Sequence, residues 1–299
     1  EVIIPSFTII SCLSAVIRSG GTPVFCDVDN FSWNMRLSDI KKVVTKKTKA
    51  LMMVHTYGLT AEAEEILSFC KENNIIVIED AAEAHGQKYN NKFCGSYGLI
   101  STFSFYANKH ITTGEGGMLL TDNKLIYDKL IKMRNLDFDN KNRFVHQNIY
   151  WNYRMSSLQA SLGISQINNL ENVISLKVKQ GNSYLQMLEE HKELFQLPKK
   201  YDGKTENHFW VFGIVLKKEN IRDQVISSLF DEGVETRPFF WPLHLQPAIK
   251  NKMYCNQELP VSERIGKNGL YLPIGRHITK KLQAEIVNKL IKVLKTIEQ

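Results

Sequence analysis

A chain of 299 residues with 43% hydrophobic and 23% charged residues has ordinary globular composition, which excludes a disordered chain, a collagen-like repeat and a coiled-coil rod. The net charge of +7 at pH 7 comes from scattered lysines and arginines without a basic, aromatic-interleaved stripe, so nucleic-acid binding has little support. The longest apolar runs, such as 75–78, are too short for a transmembrane helix or a signal peptide.

The cysteines are odd in number, widely spaced and free of any C-x-x-C pair: Cys12, Cys26, Cys70, Cys94 and Cys255. This usage is typical of a reducing compartment and argues against a structural zinc site. We therefore expect a soluble cytoplasmic protein without a metal ion. Because the sequence opens with Glu1 in an apolar run, we also expect that an upstream segment is missing.

The first 120 residues alternate short β-branched runs with amphipathic stretches, the pattern of β-α-β units around a mainly parallel sheet. The predicted strands cover residues 2–5, 23–28, 50–54, 75–80, 99–105 and 116–121. The predicted helices between them cover residues 8–19, 38–44 and 61–73. The sequence thus predicts the α/β class with a doubly wound, mostly parallel mixed sheet.

Helices follow from residue 123 onward. The predicted helices are 123–134, 156–170 with a capping box of Ser156 and Gln159, and a longer one with the apolar stripe Ile174, Val178, Leu185 and Leu188. A smaller α+β segment then has a predicted strand at 209–216, a helix at 222–231 and a last helix carrying Leu282, Ile286, Leu290 and Val293. We predict a large domain at 1–197 and a small C-terminal domain at 198–299.

Two segments place reactive side chains at strand ends. In IVIEDAAEAHG (76–86), Glu79 and Asp80 end an apolar strand, where open α/β sheets bind ligands. In FSFYANKHITTGEGG (103–117), Lys109 follows the next strand among aromatic residues that would partly desolvate its amine. The alternatives are an aspartate that only caps the next helix and a lysine that is merely solvated.

A lysine and a carboxylate at neighbouring strand ends suit pyridoxal phosphate. The lysine bonds to the cofactor aldehyde, and the carboxylate keeps the pyridine nitrogen protonated. Ser104, the backbone of the glycine turn and a helix N-terminus would then bind the phosphate.

A third segment, NYRMSSLQASLG, puts Asn152 and Arg154 just before a capped helix. Polar groups at this end of a helix commonly bind anions. A salt bridge is the alternative for Arg154.

Four motifs in this order resemble the DegT/StrS family of nucleotide-sugar aminotransferases, which have the fold of aspartate aminotransferase, the pyridoxal-phosphate-dependent type I fold. The motifs are HTYG at 55–58, VIEDAAEAHG at 77–86, FSFYANKHITTGEGGM at 103–118 and NYRMSSLQASLG at 152–163. The resemblance runs from Glu1 almost to the C-terminus. Segments 208–216 and 235–247 are most similar to members that act on GDP-linked sugars.

The resemblance implies roles for the cofactor-binding residues. Lys109 would bond covalently to pyridoxal phosphate, Asp80 would pair with its pyridine nitrogen, and Glu83 would lie against the ring or its hydroxyl. Ser104 would bind the phosphate. Two departures stand against this pattern: no Asn-Gly-Thr phosphate turn is found, and Ile9 occupies a position where the family more often has an aromatic residue.

The resemblance also implies partners. Asn152 would reach the phosphate in a neighbouring subunit, which implies a homodimer with shared active sites, and Arg154 and Arg237 are candidates for binding the nucleotide sugar. The expected reaction converts a nucleotide-linked 4-keto-6-deoxy sugar, with GDP favoured, to the 4-amino sugar. Glutamate is the expected donor, and lipopolysaccharide O-antigen synthesis is the expected setting.

Two alternatives remain open at this point. A sugar dehydratase of the same fold has a histidine in place of the lysine, whereas here His110 follows the lysine. A regulatory or binding protein could also keep the fold without catalysis. Because a histidine beside an apolar strand is usually a core residue, we interpret His55, His85 and His110 as structural.

Overall fold

The computed structural model describes residues 1–139, 141–250 and 257–298, so Cys255 lies outside the described residues. The N-terminal part contains eight strands: β1 (Val2–Pro5), β2 (Pro23–Cys26), β3 (Ala50–Val54), β4 (Ile76–Asp80), β5 (Lys88–Tyr89), β6 (Lys92–Phe93), β7 (Ile100–Ser104) and β8 (Gly117–Leu120). Six of them form one sheet in the order β2-β1-β3-β4-β7-β8, in which only β8 is antiparallel to its neighbour. The predicted mostly parallel mixed sheet is confirmed.

The helices that follow these strands are α1 (Ile10–Arg18), α2 (Leu37–Val43), α3 (Ala63–Glu72), α4 (Lys124–Arg134), α5 (Ser157–Ile167) and α6 (Leu170–Leu188). The predicted capping box is present, since Ser156 Oγ accepts the Gln159 N–H at 3.2 Å and Gln159 Oε1 accepts the Ser156 N–H at 3.0 Å. Within the described residues, no helix combines the length and the apolar composition needed to cross a bilayer.

The C-terminal part forms a second, antiparallel sheet in the order β11-β12-β10-β9. Its elements are β9 (Phe195–Gln196), β10 (Phe212–Leu216), α7 (Arg222–Asp231), β11 (Arg237–Pro238), α8 (Pro260–Asn268), β12 (Gly269–Leu272) and α9 (Lys280–Glu298). Strands β9 and β11 were not predicted from the sequence, because each is only two residues long and therefore shows no periodic pattern. The division of the chain near residue 198 stays a prediction.

One apolar core joins the two parts of the chain. Trp210 and Phe239 from the C-terminal segment pack in the same cluster as Phe7 and Tyr57 from the parallel sheet. The ring centroids of Tyr57 and Phe239 are 4.9 Å apart with an edge-to-face geometry, which is a favourable arrangement for two aromatic rings. The C-terminal segment is thereby held against the carboxyl edge of the first sheet.

The buried face of α6 differs from the predicted apolar stripe. Ile174, Val178 and Leu185 are only half-buried. The fully buried residues are Val173, Lys177, Gln180, Gly181, Tyr184 and Leu188. The predicted stripe is right for Leu188 and wrong for the other three residues, because the buried face includes polar side chains whose hydrogen bonds go to backbone carbonyls of the C-terminal segment.

Candidate active site

A cavity of about 450 Å³ lies at the carboxyl edge of the parallel sheet. The last residues of three adjacent strands line it, namely Val54 of β3, Asp80 of β4 and Ser104 of β7. Lys109, from the loop after β7, lines the same cavity. The two side chains that the sequence suggested for a single cofactor therefore face one space, at the edge where open α/β sheets bind ligands.

The neighbouring carboxylates Glu79 and Asp80 serve different purposes because successive strand residues face opposite sides of the sheet. Glu79 is fully buried on the far side. Its carboxylate accepts hydrogen bonds from five groups: the N–H groups of Gly95, Tyr97 and Gly98, the Ser101 hydroxyl and the His55 ring. Burial raises the pKa of Glu79, but the bonds from His55, Gly95 and Ser101 outweigh it and lower that pKa to about 2. Glu79 thus fixes the turn between β6 and β7.

A buried thiol also lies in this far-side cluster. One ligand-type atom each of His55, Glu79 and Cys94 lies within 4.8 Å of the others. Since the Glu79 carboxylate already has five donors, the cluster is a hydrogen-bonded support for the strand ends.

Asp80 faces the cavity and is held from three sides. Its Oδ1 accepts the Ala82 N–H at 3.0 Å and the Thr102 hydroxyl at 3.4 Å, and its Oδ2 accepts the Cys12 thiol at 3.3 Å. Burial and the charge of Asp80 raise the pKa of Cys12 well above its usual value, so the thiol stays protonated and donates. No local pattern pointed to Cys12, because its contact with Asp80 spans 68 positions.

Lys109 lies between a carboxylate and an aromatic ring. Its Nζ is 3.6 Å from Glu83 Oε1 and 3.9 Å from the centroid of the Trp210 ring, and its side chain is only 8% exposed. The indole N–H of Trp210 donates to the Asn108 carbonyl at 3.1 Å, which ties the ring to the lysine loop. These contacts hold the amine in one place within the cavity.

Glu83 couples Lys109 to the sheet. Its Oε2 accepts the Tyr57 N–H at 2.9 Å, opposite the oxygen that faces Lys109. Burial raises the pKa of Glu83 to about 7, although the positive charge of Lys109 and the Tyr57 N–H both act to lower it. A proton can therefore move between Glu83 and its surroundings near neutral pH.

Of the other residues predicted for the site, one lines a neighbouring cavity and two lie outside both cavities. Arg237 lines a second cavity of about 440 Å³ that adjoins the first. Asn152 and Arg154 line neither cavity; both are exposed, and Arg154 Nε donates to Asn152 Oδ1 at 3.0 Å. His85 and His110 are buried, and burial lowers the pKa of His85 to about 4, consistent with a neutral core residue.

The residues of the first cavity suit pyridoxal phosphate. It contains an amine for the aldehyde, a carboxylate for the ring nitrogen, and the hydroxyls of Ser11 and Ser104 for a phosphate. Ser11 lies in the first turn of α1, which has no acidic residue to repel an anion. Ile9 lines the cavity as expected, so it offers apolar contact without a π face.

A parallel sheet with a buried lysine and a carboxylate at its carboxyl edge is the arrangement of the pyridoxal-phosphate-dependent enzymes of the type I fold. Residues 1–291 match the DegT/DnrJ/EryC1/StrS aminotransferase family, and the chain belongs to this family. The family resemblance read from the motifs, the aminotransferase class and the cofactor are confirmed.

Individual relatives agree with this placement. A GDP-perosamine synthase of Escherichia coli O157:H7 is 38% identical over 280 residues, which make up 91% of this chain and 73% of that protein. A GDP-perosamine synthase of Vibrio cholerae is 34% identical over 278 residues, 91% of this chain and 74% of that protein. An aminotransferase of known structure from Psychrobacter cryohalolentis superposes with a TM-score of 0.91 at 26% identity, covering 100% of this chain and 82% of that one.

Proposed function

We propose that the protein transfers an amino group from glutamate to the 4-keto carbon of a GDP-linked 4-keto-6-deoxyhexose. The observation that carries this proposal is the common cavity of Lys109 and Asp80, in which one coenzyme can contact both. The relatives that are named GDP-perosamine synthases support the GDP-linked sugar. Glutamate is retained as donor from the family resemblance.

When bound, pyridoxal phosphate supplies an electron sink that eases proton loss at the carbon bearing the amine. Lys109 would hold the cofactor through its Nζ atom at rest. As a free amine, Lys109 would then carry the proton to and from the substrate carbon. A positioned base of this kind typically contributes about 10²- to 10⁴-fold to the rate. Asp80 would hold the ring nitrogen in its protonated form, and Ser104 would donate to the phosphate.

Trp210, Phe240 and Tyr271 give the cavity a wall that comes entirely from the C-terminal segment. Such a wall excludes water from the reacting atoms, which strengthens the electrostatic contacts of Lys109 and Glu83. Glu83 would take up or release a proton as the charge on Lys109 changes, since the two groups lie 3.6 Å apart.

We further propose that the enzyme is a homodimer in which Asn152 reaches the partner's cofactor and Arg154 the partner's nucleotide sugar. Exposure of apolar side chains beside these residues supports the proposal: Trp151 and Tyr153 are 52% and 71% exposed, and all four residues of β8 are exposed. Sedimentation across a range of concentrations tests it. Sedimentation as a monomer throughout would contradict it.

The assignment of Lys109 is tested by its absorption signature. Lys109→Ala and Lys109→Arg, reconstituted with pyridoxal phosphate, should lack the visible band of the lysine-bound cofactor and lose more than about 100-fold in amino transfer. Lys71→Ala, at an exposed position of α3, is the matched control and should keep both. An unchanged band in both Lys109 variants would refute the assignment.

Product analysis tests the reaction and its rivals. The holoenzyme, glutamate and 4-keto-6-deoxyhexoses linked to GDP, dTDP or UDP are incubated separately, and the products are identified by mass spectrometry. We expect an amino sugar from the GDP-linked substrate. A deoxygenated keto sugar would instead indicate a dehydratase, and a protein that binds cofactor but converts none of the substrates would indicate a regulatory role.

A further inference from the structure

The second cavity, of about 440 Å³, shares a wall with the cofactor cavity. Tyr106, Asn108, Trp210 and Tyr271 line both spaces. A molecule whose reacting carbon lies near Lys109 can therefore extend past Trp210 into the second cavity. Its volume falls within the range of small-molecule sites.

Lys177 forms the buried end of this second cavity. It belongs to the buried face of α6, is only 9% exposed, and donates from Nζ to the Trp210 carbonyl at 2.7 Å. Within the described residues, no carboxylate forms an ion pair with it. Burial, aided by the charge of Lys109, lowers the pKa of Lys177 to about 8, which indicates that its charge is poorly compensated.

The outer end of the cavity carries a second cation. Arg237 is 63% exposed and bonds to Glu235 Oε1 at 3.0 Å, a solvent-screened contact that uses one of its five N–H donors. Thr236, which also lines the cavity, is 7% exposed, and its Oγ1 has no hydrogen-bond partner among the described residues. The lining of the cavity thus includes a buried and an exposed cation with unused donors, beside one exposed carboxylate, Glu235.

We propose that the second cavity binds an anionic group of a substrate, with Lys177 as the inner cation and Arg237 as the outer one. This inference rests on the proposed function. The shared ligand chemistry is a group with two or more anionic oxygens, either the carboxylates of the amino donor or the diphosphate of the sugar nucleotide. Such a group would supply the counter-charge that the buried ammonium of Lys177 otherwise lacks.

A purely structural role for Lys177 makes a different prediction. If its only task were to hold the Trp210 carbonyl, its removal would affect folding and the position of Trp210 without selectivity for anionic ligands. If it binds an anion, its removal weakens anion binding specifically. A charged hydrogen bond is worth about 1.5–3 kcal/mol, which corresponds to about a 10- to 150-fold change in affinity.

The decisive measurement is calorimetric titration of the holoenzyme with glutarate and, separately, with inorganic pyrophosphate. Lys177→Met retains most of the side-chain volume and removes the charge, and Lys179→Met, at an exposed position of the same helix, is the control. We expect at least 10-fold weaker binding of one probe to Lys177→Met, unchanged binding to Lys179→Met, and recovery to within a few-fold in Lys177→Arg.

The two probes identify the source of the anion. Selective loss of glutarate binding assigns the cavity to the amino donor, and selective loss of pyrophosphate binding assigns it to the sugar nucleotide. If both probes bind Lys177→Met within twofold of the wild type, the proposal is overturned.

A surface variant covers the case in which Lys177→Met does not fold. Arg237→Gln alters an exposed side chain at the outer end of the same cavity and should weaken the same probe at least several-fold; unchanged binding there overturns the proposal as well. These titrations require no turnover. Failure of the proposed function would appear separately, as an absence of amino-sugar product from a wild-type protein whose anion binding is intact.

Discussion

The Nζ atom of Lys109 and the Oε1 atom of Glu83 lie 3.6 Å apart, and both side chains are more than nine-tenths buried. The pair joins the loop after β7 to the segment after β4, so it also links the two strand ends that form the cofactor cavity. Its proton content changes with pH because burial raises the pKa of Glu83 to about 7.

This raised pKa predicts a specific dependence of stability on pH. The folded protein binds a proton at Glu83 that the unfolded chain releases above pH 4.5, so the contribution of Glu83 is present at low pH and is lost as pH rises towards 7. The unfolding temperature of the cofactor-free wild type should fall by a few degrees relative to Glu83→Gln between pH 5 and 8. The unfolding temperature of Glu219→Gln, a change at an exposed position, should depend on pH as that of the wild type does. If the unfolding temperature of Glu83→Gln also followed that of the wild type, the prediction would be contradicted.

Asp80→Asn should weaken cofactor binding while leaving the fold intact. The variant keeps the shape of the side chain but loses the charge that would pair with the ring nitrogen of a bound cofactor. A charge-assisted hydrogen bond is worth about 1.5–3 kcal/mol, so equilibrium dialysis should find the cofactor bound about 10- to 150-fold more weakly. The unfolding temperature of the cofactor-free variant should stay close to that of the wild type. Wild-type affinity for the cofactor would argue against the role of Asp80.

Glu79→Gln, in contrast to Asp80→Asn, should destabilise the fold. The carboxylate lies on the far side of the sheet, and the amide replaces one of its two accepting oxygens with an NH₂ group, so some of the five donors lose their acceptor and the buried His55 loses its counter-charge. Removing one partner of a buried pair costs about 3–5 kcal/mol, which denaturant unfolding at pH 7 measures. Because the pKa of Glu79 is lowered to about 2, its contribution is present above pH 4.5 and is lost as pH falls towards 2. The cost in Glu79→Gln should therefore shrink in acid, and a cost independent of pH would count against this account.

Cys12 should act as a positioning residue for Asp80. Cys12→Ala removes the donor to Asp80 Oδ2, whereas Cys12→Ser supplies a hydroxyl in its place. A single hydrogen bond is worth about 0.5–1.5 kcal/mol, so Cys12→Ala should bind the cofactor about 2- to 10-fold more weakly. Cys12→Ser should stay close to the wild type. Cys70→Ala, at a buried position distant from Asp80, should lower stability without changing cofactor affinity; equal affinities in all three variants would refute the role.

Gly181→Ala should destabilise the contact between α6 and the C-terminal segment. A Cβ atom at this position would lie 2.3 Å from the Phe209 ring, and both residues are fully buried. Overpacking of this kind costs about 1–3 kcal/mol, measured as a lower midpoint of urea unfolding. Ser175→Ala, at an exposed position of the same helix, should be neutral or slightly stabilising. A midpoint for Gly181→Ala equal to the control would show that Phe209 can move aside.

The sequence predicted more of the fold than of the site's walls. The parallel strands, the capping box at Ser156 and the family motifs depend on local patterns of a few residues, and all are confirmed. The buried face of α6 was predicted only at Leu188, because Lys177 and Gln180 are polar and carry no apolar signal. The residues Val173, Lys177, Gln180 and Tyr184 follow helical spacing, but periodicity signals a buried face only when such residues are apolar.

The local sequence pattern was enough to predict that Asp80 ends one strand and that Lys109 follows the next, because strand periodicity and loop length depend on residues that are adjacent in the chain. The family motif already singled out Asp80 rather than Glu79, but only the tertiary structure showed that Cys12 supports Asp80 and that Trp210 covers Lys109. These contacts join residues far apart in the chain, and they depend on how the C-terminal segment packs against the sheet. Packing of this kind is set by the volumes and hydrogen bonds of the whole core, which no local pattern records.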